Sequence, residues 1–272
     1  MDAAGRGRGA RIAVTSGDCN GIGPEVALKA GVAAAHGEAG RVESVVLVGP
    51  RNVWEDAMRI CGWSGAPLSE VEALATPGPD ARPVLLPAIC TWDPAMAEEP
   101  RIRSGCVAAD AALSAYAAVA GAVSAALNGH VDAIVTAPVS EEAFWRAGIR
   151  DKDQEELLAR LTKTPREALS DLSDEGEAWI LAGRDTPMAC PATDVSWKYP
   201  CQWGLNHCKI RVKLMWGLPL VCTAPGHGPA LEIAGHGVAD DRPMLTALRW
   251  AAQLAWRGKQ PESAAVRHQG RG

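Results

Sequence analysis

Residues 11–30 read RIAVTSGDCNGIGPEVALKA. A short β-branched run leads into three glycines, Gly17, Gly21 and Gly23, with an acid, Asp18, between the first two. An alanine-rich segment follows, with Pro24 near its start. Proline costs nothing in the first turn of a helix, where the amide has no intrahelical partner. The stretch is therefore a strand, a glycine turn and a helix. The glycine order is G-x-x-x-G-x-G, neither the G-x-G-x-x-G of dinucleotide sites nor a phosphate loop ending in Lys-Ser/Thr. Two readings stay open. Converging amides and the positive end of the helix would seat an anion or polar ligand group. Alternatively, the glycines serve a tight turn capped by Asp18.

Outward from this unit the alternation continues. ESVVLVG (43–49) is a second buried strand, with 45–49 at its heart, and NVWEDAMRICG (52–62) is a helix closed by Gly62. A Pro- and Gly-rich stretch, 65–83, leads to a short strand, PVLLP (83–87). Residues 106–128 form a long alanine-rich helix, and VDAIVTAP (131–138) a strand bounded by Asn128-Gly129 and Pro138. AWILAG (178–183) reads as a strand, GLPLVCTAPGHG (217–228) as ordered, and residues 242–258 as a last helix. Strands alternating with helices predict an α/β fold whose parallel sheet is covered on both faces. One α/β unit is expected over 11–259, with disorder at 1–10 and 260–272. Residues 184–213 follow neither period, and six of the ten tryptophans lie at or beyond Trp179.

Composition narrows the classes of function. The net charge of −5 and the lack of a basic stripe argue against a nucleic-acid partner. No apolar run is read as reaching the roughly 18 residues of a membrane span. The start lacks the apolar core of a signal peptide, so a cytoplasmic protein without membrane contact is expected. The eight cysteines include no C-x-x-C pair and are expected to be reduced and mostly buried. Cys201 and Cys208 flank His207, a conceivable but thin metal motif.

Thr136, Ala137 and Pro138 close the 131–136 strand at its carboxyl end, where ligands sit in open α/β sheets. Ser140 is placed to cap the next helix, with Glu141 and Glu142 in its first turn. Together, IAVTSGDCNGIGPEVALKA, VDAIVTAPVSEEAFWRAGI and GLPLVCTAPGHGPALEIAGHGVADDRPMLTALRWAAQLA closely resemble the PdxA family of 4-hydroxythreonine-4-phosphate dehydrogenases. The resemblance covers 11–160 and 217–256 in order.

That resemblance implies a two-lobed α/β/α sandwich like that of isocitrate and isopropylmalate dehydrogenases, acting as a homodimer. It implies NAD and a phosphorylated hydroxy acid in the cleft, and a divalent metal (Zn, Mg, Mn or Co) held by histidines. The substrate would be 4-phosphohydroxythreonine or a related acid in pyridoxal 5′-phosphate biosynthesis, oxidised at its secondary alcohol and then decarboxylated. A metal suits this step by polarising the alkoxide and then the ketone, and a lysine beside it holds substrate or moves a proton. Carried over by position, the ligand loop is Gly17, Asp18, Gly21, Gly23 and Thr136; Lys213 is the catalytic lysine and His207 a metal ligand.

The chain departs from the family in several places. In DQEELLA (153–159), Gln154 and Glu155 stand where the family's G-H-T-E motif has its substrate-touching His and Thr. Glu141 replaces a lysine, Cys222 a substrate-binding arginine, and Gly226 the Asp of D-H-G, whose histidine is matched by His227. No histidine lies between His130 and His207, so the T-T-H ligand is missing. Family members are longer, and GLNHCKIRVK (204–213) compresses two family motifs, each with a metal histidine, so that His207 matches one or the other. Deletion, a shifted reading frame and divergence all fit 184–213. Three readings follow: a dehydrogenase of the family, a catalytically impaired member acting as a binding or dimer partner, and a phosphate-binding module without redox chemistry.

Overall fold

The computed structural model describes residues 9–63, 68–71, 89–94, 99–165, 180–182, 187–189, 210, 212–215 and 217–258. The first unit is β1 (Ala10–Thr15), α1 (Gly23–Ala35) and β2 (Val42–Val48), with β1 and β2 parallel. Next come α2 (Arg51–Ile60), β3 (Ser69–Glu70), β4 (Ile89–Trp92) and α3 (Ala109–Leu127). The chain then forms β5 (Ala133–Val135), α4 (Glu141–Arg146) and α5 (Gln154–Thr162). Last are β6 (Ile180–Ala182), β7 (Pro187–Ala189), β8 (Val212–Met215), β9 (Cys222–Pro225), a 3-10 turn at Leu231–Ile233, and α6 (Arg242–Gly258).

Seven strands form one sheet in the order β3-β4-β2-β1-β5-β9-β8, and β6 and β7 form an antiparallel pair apart from it. All pairings in the large sheet are parallel except β8 with β9. The chain moves outward from β1 to β2 and β4, then returns to lay β5 on the other side of β1. The carboxyl ends of β1 and β5 therefore flank a topological switch point, where the two connections diverge and leave a crevice.

The apolar runs at the centre are continuous because both faces are buried. On β1, β2 and β5 the side chains Ile12, Val14, Val45, Leu47, Ala133 and Val135 join a core with α1, α2 and α6. The intervening Ala13, Val46, Val48 and Ile134 join a second core with α3, α4 and α5. The result is a three-layer α/β/α arrangement. Small residues let α3 lie close to the sheet, with Ala111, Ala115, Ala118, Val119 and Ala122 fully buried.

Several expectations hold and some shift. The 12–16, 45–49 and 131–136 strands are interior, and helices occupy 23–35 and 242–258. The helix expected from 106 starts at Ala109, because Asn20 ties the preceding segment down through Gly105 N and Cys106 O. PVLLP lies outside the described residues; the next strand described is Ile89–Trp92. Ala10, expected in a disordered start, is a buried residue of β1. Of the irregular 184–213 segment, 187–189, 210, 212 and 213 are described; residues 1–8 and 259–272 are not.

The reading that no run is apolar enough for a membrane is corrected by α3, whose length and composition pass that test. Its packing between β1, β2, β5, α4 and α5 accounts for that composition. Among the described residues Cys19, Cys61, Cys90, Cys106 and Cys222 are free thiols, and three of them are buried.

Candidate functional site

β1 delivers the glycine turn to the switch point. Gly17 takes φ +65°, and a Cβ there would stand 2.4 Å from the carbonyl oxygen of Pro138, just past β5. A Cβ on Gly23 would meet Ser16 O at 2.5 Å, and one on Gly21 would meet Pro229 O at 2.7 Å. The glycines are thus required by three backbones in contact: the turn itself, the segment after β5, and the loop after β9.

Hydrogen bonds fasten the same three segments. Asp18 N donates to Pro138 O at 2.9 Å, Ile22 N to Pro229 O at 2.8 Å, and Ala137 N to Thr15 Oγ1 at 3.0 Å. Asn20 N reaches Asp18 Oδ1 at 2.9 Å, and Gly21 N reaches Asp18 O at 3.1 Å. Four amides of the turn are therefore already bonded within the protein. The anion seat expected from converging amides is not available through Asp18, Asn20, Gly21 or Ile22, and the close-packing reading accounts for them. Asp18 does not cap α1, which has no side-chain cap; it closes the turn instead. Its other oxygen, Oδ2, is buried without a partner, and desolvation raises the pKa of the carboxyl, with Asp110 adding to the effect.

Asn20 is a site residue that sequence reasoning missed. Its side chain accepts from Arg103 N at 2.6 Å and donates to Cys106 O at 2.9 Å, while its carbonyl accepts from Gly105 N at 2.8 Å. A buried amide between Cys19 and Gly21 was the available signal, because such a group has to find several partners.

The second half of the site gathers around the ends of β5, β8 and β9. Thr136 is buried and its amide donates to Thr223 O at 3.0 Å. Gln154 Nε2 donates to Ala137 O at 3.3 Å, joining α5 to the segment that touches the glycine turn. Asp153 caps α5 by accepting from Glu156 N at 2.8 Å, and Ser140 caps α4 as expected, accepting from Ala143 N at 3.2 Å. Lys213, opposite Ala224 in the β8–β9 ladder, forms an ion pair with Glu155. Burial lowers the Lys213 pKa, opposed by Asp153, Glu141 and Cys222. Cys222 is wholly buried: its thiol lies 3.3 Å from Met215 Sδ and beside Thr136, and desolvation raises its pKa strongly.

The structure therefore brings Thr136, Gln154, Glu155, Lys213 and Cys222 together, with Gly17, Asp18, Gly21 and Gly23 beside them across Pro138 and Ala137. His207 lies outside the described residues. Cys222 presents its thiol to the core, whereas Gln154 and Glu155 are partly exposed. A surface depression of about 620 Å³ along α4 and residues 148–152 contains none of these residues, and its lining mixes acids and bases.

His227 sits in the loop after β9. Its Nδ1 is 3.0 Å from Gly228 O, and a carbonyl only accepts, so Nδ1 carries the proton and Nε2 the lone pair. Nε2 is buried without a partner, and burial lowers the pKa, favouring the neutral ring. Such an imidazole is a competent metal ligand, but one ring does not hold a divalent ion against water. Among the described residues no three His, Cys, Asp or Glu side chains come together to hold an ion. The described residues alone thus do not make the divalent site that the resemblance implies.

Residues 41–188 and 205–251 match the family model described as pyridoxal phosphate biosynthetic protein PdxA. A D-threonate 4-phosphate dehydrogenase of Pectobacterium atrosepticum is 34% identical over 154 residues, 56% of this chain and 44% of the relative. A 4-hydroxythreonine-4-phosphate dehydrogenase of Synechococcus is 32% identical over 157 residues, 57% of this chain and 41% of the relative. Both matches span less than half the length of the relative. A D-threonate 4-phosphate dehydrogenase of Bordetella bronchiseptica aligns over 90% of this chain and 92% of its own length, at 24% identity. The crystal structure of a 4-hydroxythreonine-4-phosphate dehydrogenase from Burkholderia phymatum superposes with a TM-score of 0.63 at 19% identity, covering 91% of this chain and 99% of that one. The corresponding protein from Klebsiella pneumoniae gives 0.57 at 22% identity, with 91% and 98% covered. These two likenesses speak for the fold.

Proposed function

The chain belongs to the PdxA family, and on that premise we propose that it is a dehydrogenase of a phosphorylated hydroxy acid. The observation that carries this reading is the ion pair of Lys213 with Glu155, whose neighbour Gln154 bonds Ala137 O in the segment that touches the glycine turn. Residues from four separated stretches of sequence converge where α/β sheets bind ligands.

Oxidation of a secondary alcohol removes a hydride from carbon and a proton from oxygen. NAD, the cofactor that the family resemblance implies, would supply the hydride acceptor. Lys213 is the candidate proton acceptor: burial lowers its pKa, which eases proton exchange relative to an ordinary lysine. Gln154 orients the ligand from the start of α5, and Thr136 shapes the floor at the end of β5. The resulting 3-keto acid then loses carbon dioxide. Among the described residues His227 alone matches a family histidine, and one imidazole does not hold a divalent ion.

The substrates to which the relatives' names point are D-threonate 4-phosphate and 4-hydroxythreonine 4-phosphate. A cytoplasmic homodimer, a place in pyridoxal 5′-phosphate biosynthesis, and a two-lobed α/β/α architecture with a shortened second lobe complete this reading.

The Lys213–Glu155 ion pair also favours a second reading. A lysine engaged by an internal carboxylate is a poor base, and the chain is then an impaired member that binds ligand or a family partner without turnover. Assay of the full chain with NAD, a divalent metal and each phosphorylated acid separates the two. NADH formation with keto-acid release supports the dehydrogenase. Calorimetric binding of the same acids without NADH supports the impaired member.

A further inference from the structure

Ala143 and Phe144 of α4 are buried in the second core, whereas Trp145, the next residue, is 80% exposed. Neighbouring helical positions point about 100° apart, so seating Phe144 in the core turns Trp145 away from it. A single exposed apolar side chain is ordinary. Trp145, however, borders the depression of about 620 Å³ along α4 and residues 148–152, and Ile149 joins it in the lining.

The walls of this depression are fixed by the chain itself. Gly148, at φ +76°, reverses the backbone after α4, and Ile149 N donates to Phe144 O at 3.0 Å. Asp151 accepts two bonds from Arg160, at 2.9 and 2.7 Å, and Lys152 N donates to Glu156 Oε2 at 2.7 Å. A surface ordered in advance gives up little conformational freedom when it is covered.

Charge indicates what covers it. Glu141 and Glu142 bring acid from α4, Arg150 and Lys152 bring base from the segment after it, and all four are exposed. Among the described residues Glu142 pairs with Arg146, while Glu141, Arg150 and Lys152 have no ion-pair partner. A face with both signs of charge around one aromatic complements itself across a two-fold axis: the acids of each copy meet the bases of the other. A partner of a single sign would leave half of these charges unmatched or opposed.

We propose that this face, centred on Trp145, is where a second copy of the chain docks about a two-fold axis. The proposal rests on the homodimer of the functional reading and names its surface; it needs neither cofactor nor turnover.

Sedimentation equilibrium of the full chain over a range of concentrations tests it, with thermal melting to check that each variant folds. Trp145→Ala should weaken dimerisation by about thirty-fold, the loss expected of a tryptophan at the centre of an interface, and Trp145→Phe should weaken it less. The variants E141K/E142K and R150E/K152E should each weaken it by about ten-fold, because like charges then face each other. An equimolar mixture of the two should recover the dimer, since each chain offers the sign that the other lacks. General destabilisation cannot produce that recovery. If a charge variant fails to fold, the comparison of W145A with W145F carries the test. A dimer that W145A leaves unchanged, or charge variants that do not recover on mixing, overturns the proposal and leaves the homodimer reading intact. A wild-type chain that is monomeric at every concentration overturns both.

Discussion

At Gly17, conformation and contact make the same demand. The residue lies at φ +65°, where a side chain is strained, and a Cβ would press on Pro138 O at 2.4 Å, a backbone atom that cannot swing away. Gly17→Ala should destabilise the fold by about 1–3 kcal/mol. Gly228→Ala, where a Cβ meets nothing within 4 Å, should be near neutral. Chemical denaturation of the two variants checks the contrast, and equal effects would mean that the turn relaxes freely. His227 makes a different kind of claim. Its pKa is lowered from 6.5 by burial, so the folded chain binds a proton there less readily than the unfolded chain. Stability from this residue is complete above 6.5 and is lost as pH falls from there through the lower folded value. Melting curves of wild type and His227→Gln should converge toward the acid side, where the wild type carries the penalty of a buried charge.

Between elements, one buried carboxylate fastens α1 to the segment that leads into α6. Glu25, 2% exposed, accepts from Lys29 Nζ at 2.6 Å and from Ala239 N at 2.8 Å. Lys29 also donates to Gly237 O at 2.9 Å and Ala239 O at 3.1 Å. Glu25→Ala takes the counter-charge from a part-buried ammonium and leaves the Ala239 amide without its acceptor. The cost of breaking a buried pair is about 3–5 kcal/mol, and the quarter exposure of Lys29 brings the expectation down to roughly 2 kcal/mol. Hydrogen exchange should show the loss first at 237–241 and the start of α6; uniform loss across the chain would argue against a local latch. The capping residues Ser140 and Asp153 act at this scale as well. Ser140 was legible as a short polar residue ahead of a helical run, because an N-cap is a local interaction; the Asp153 cap came from the structure. The start of α3 was not legible, since Asn20 reaches across 86 residues to hold Cys106 O.

Over the whole molecule, the two cores share the same strands. Side chains of β1, β2 and β5 alternate between the α1–α2–α6 face and the α3–α4–α5 face, so neither face can open alone. Ile134→Ala, which removes a fully buried side chain from the second core, should cost about 2–5 kcal/mol. Protection should fall together in α3 and in α1, although α1 lies on the other face; loss in α3 alone would make the cores independent units. The sequence by itself determined the strand–turn–helix at 11–30, the central β5 strand, the last helix and the family, because period and turn chemistry are local signals. It also supplied most of the candidate site by position. Only the tertiary structure decided what those residues contact. It gave the glycines to close backbone packing, turned Cys222 into the core, and set Glu155 against Lys213 from a strand and a helix far apart in sequence. Such pairings depend on strand order and on which way a side chain faces, and neither is written in any one stretch of residues.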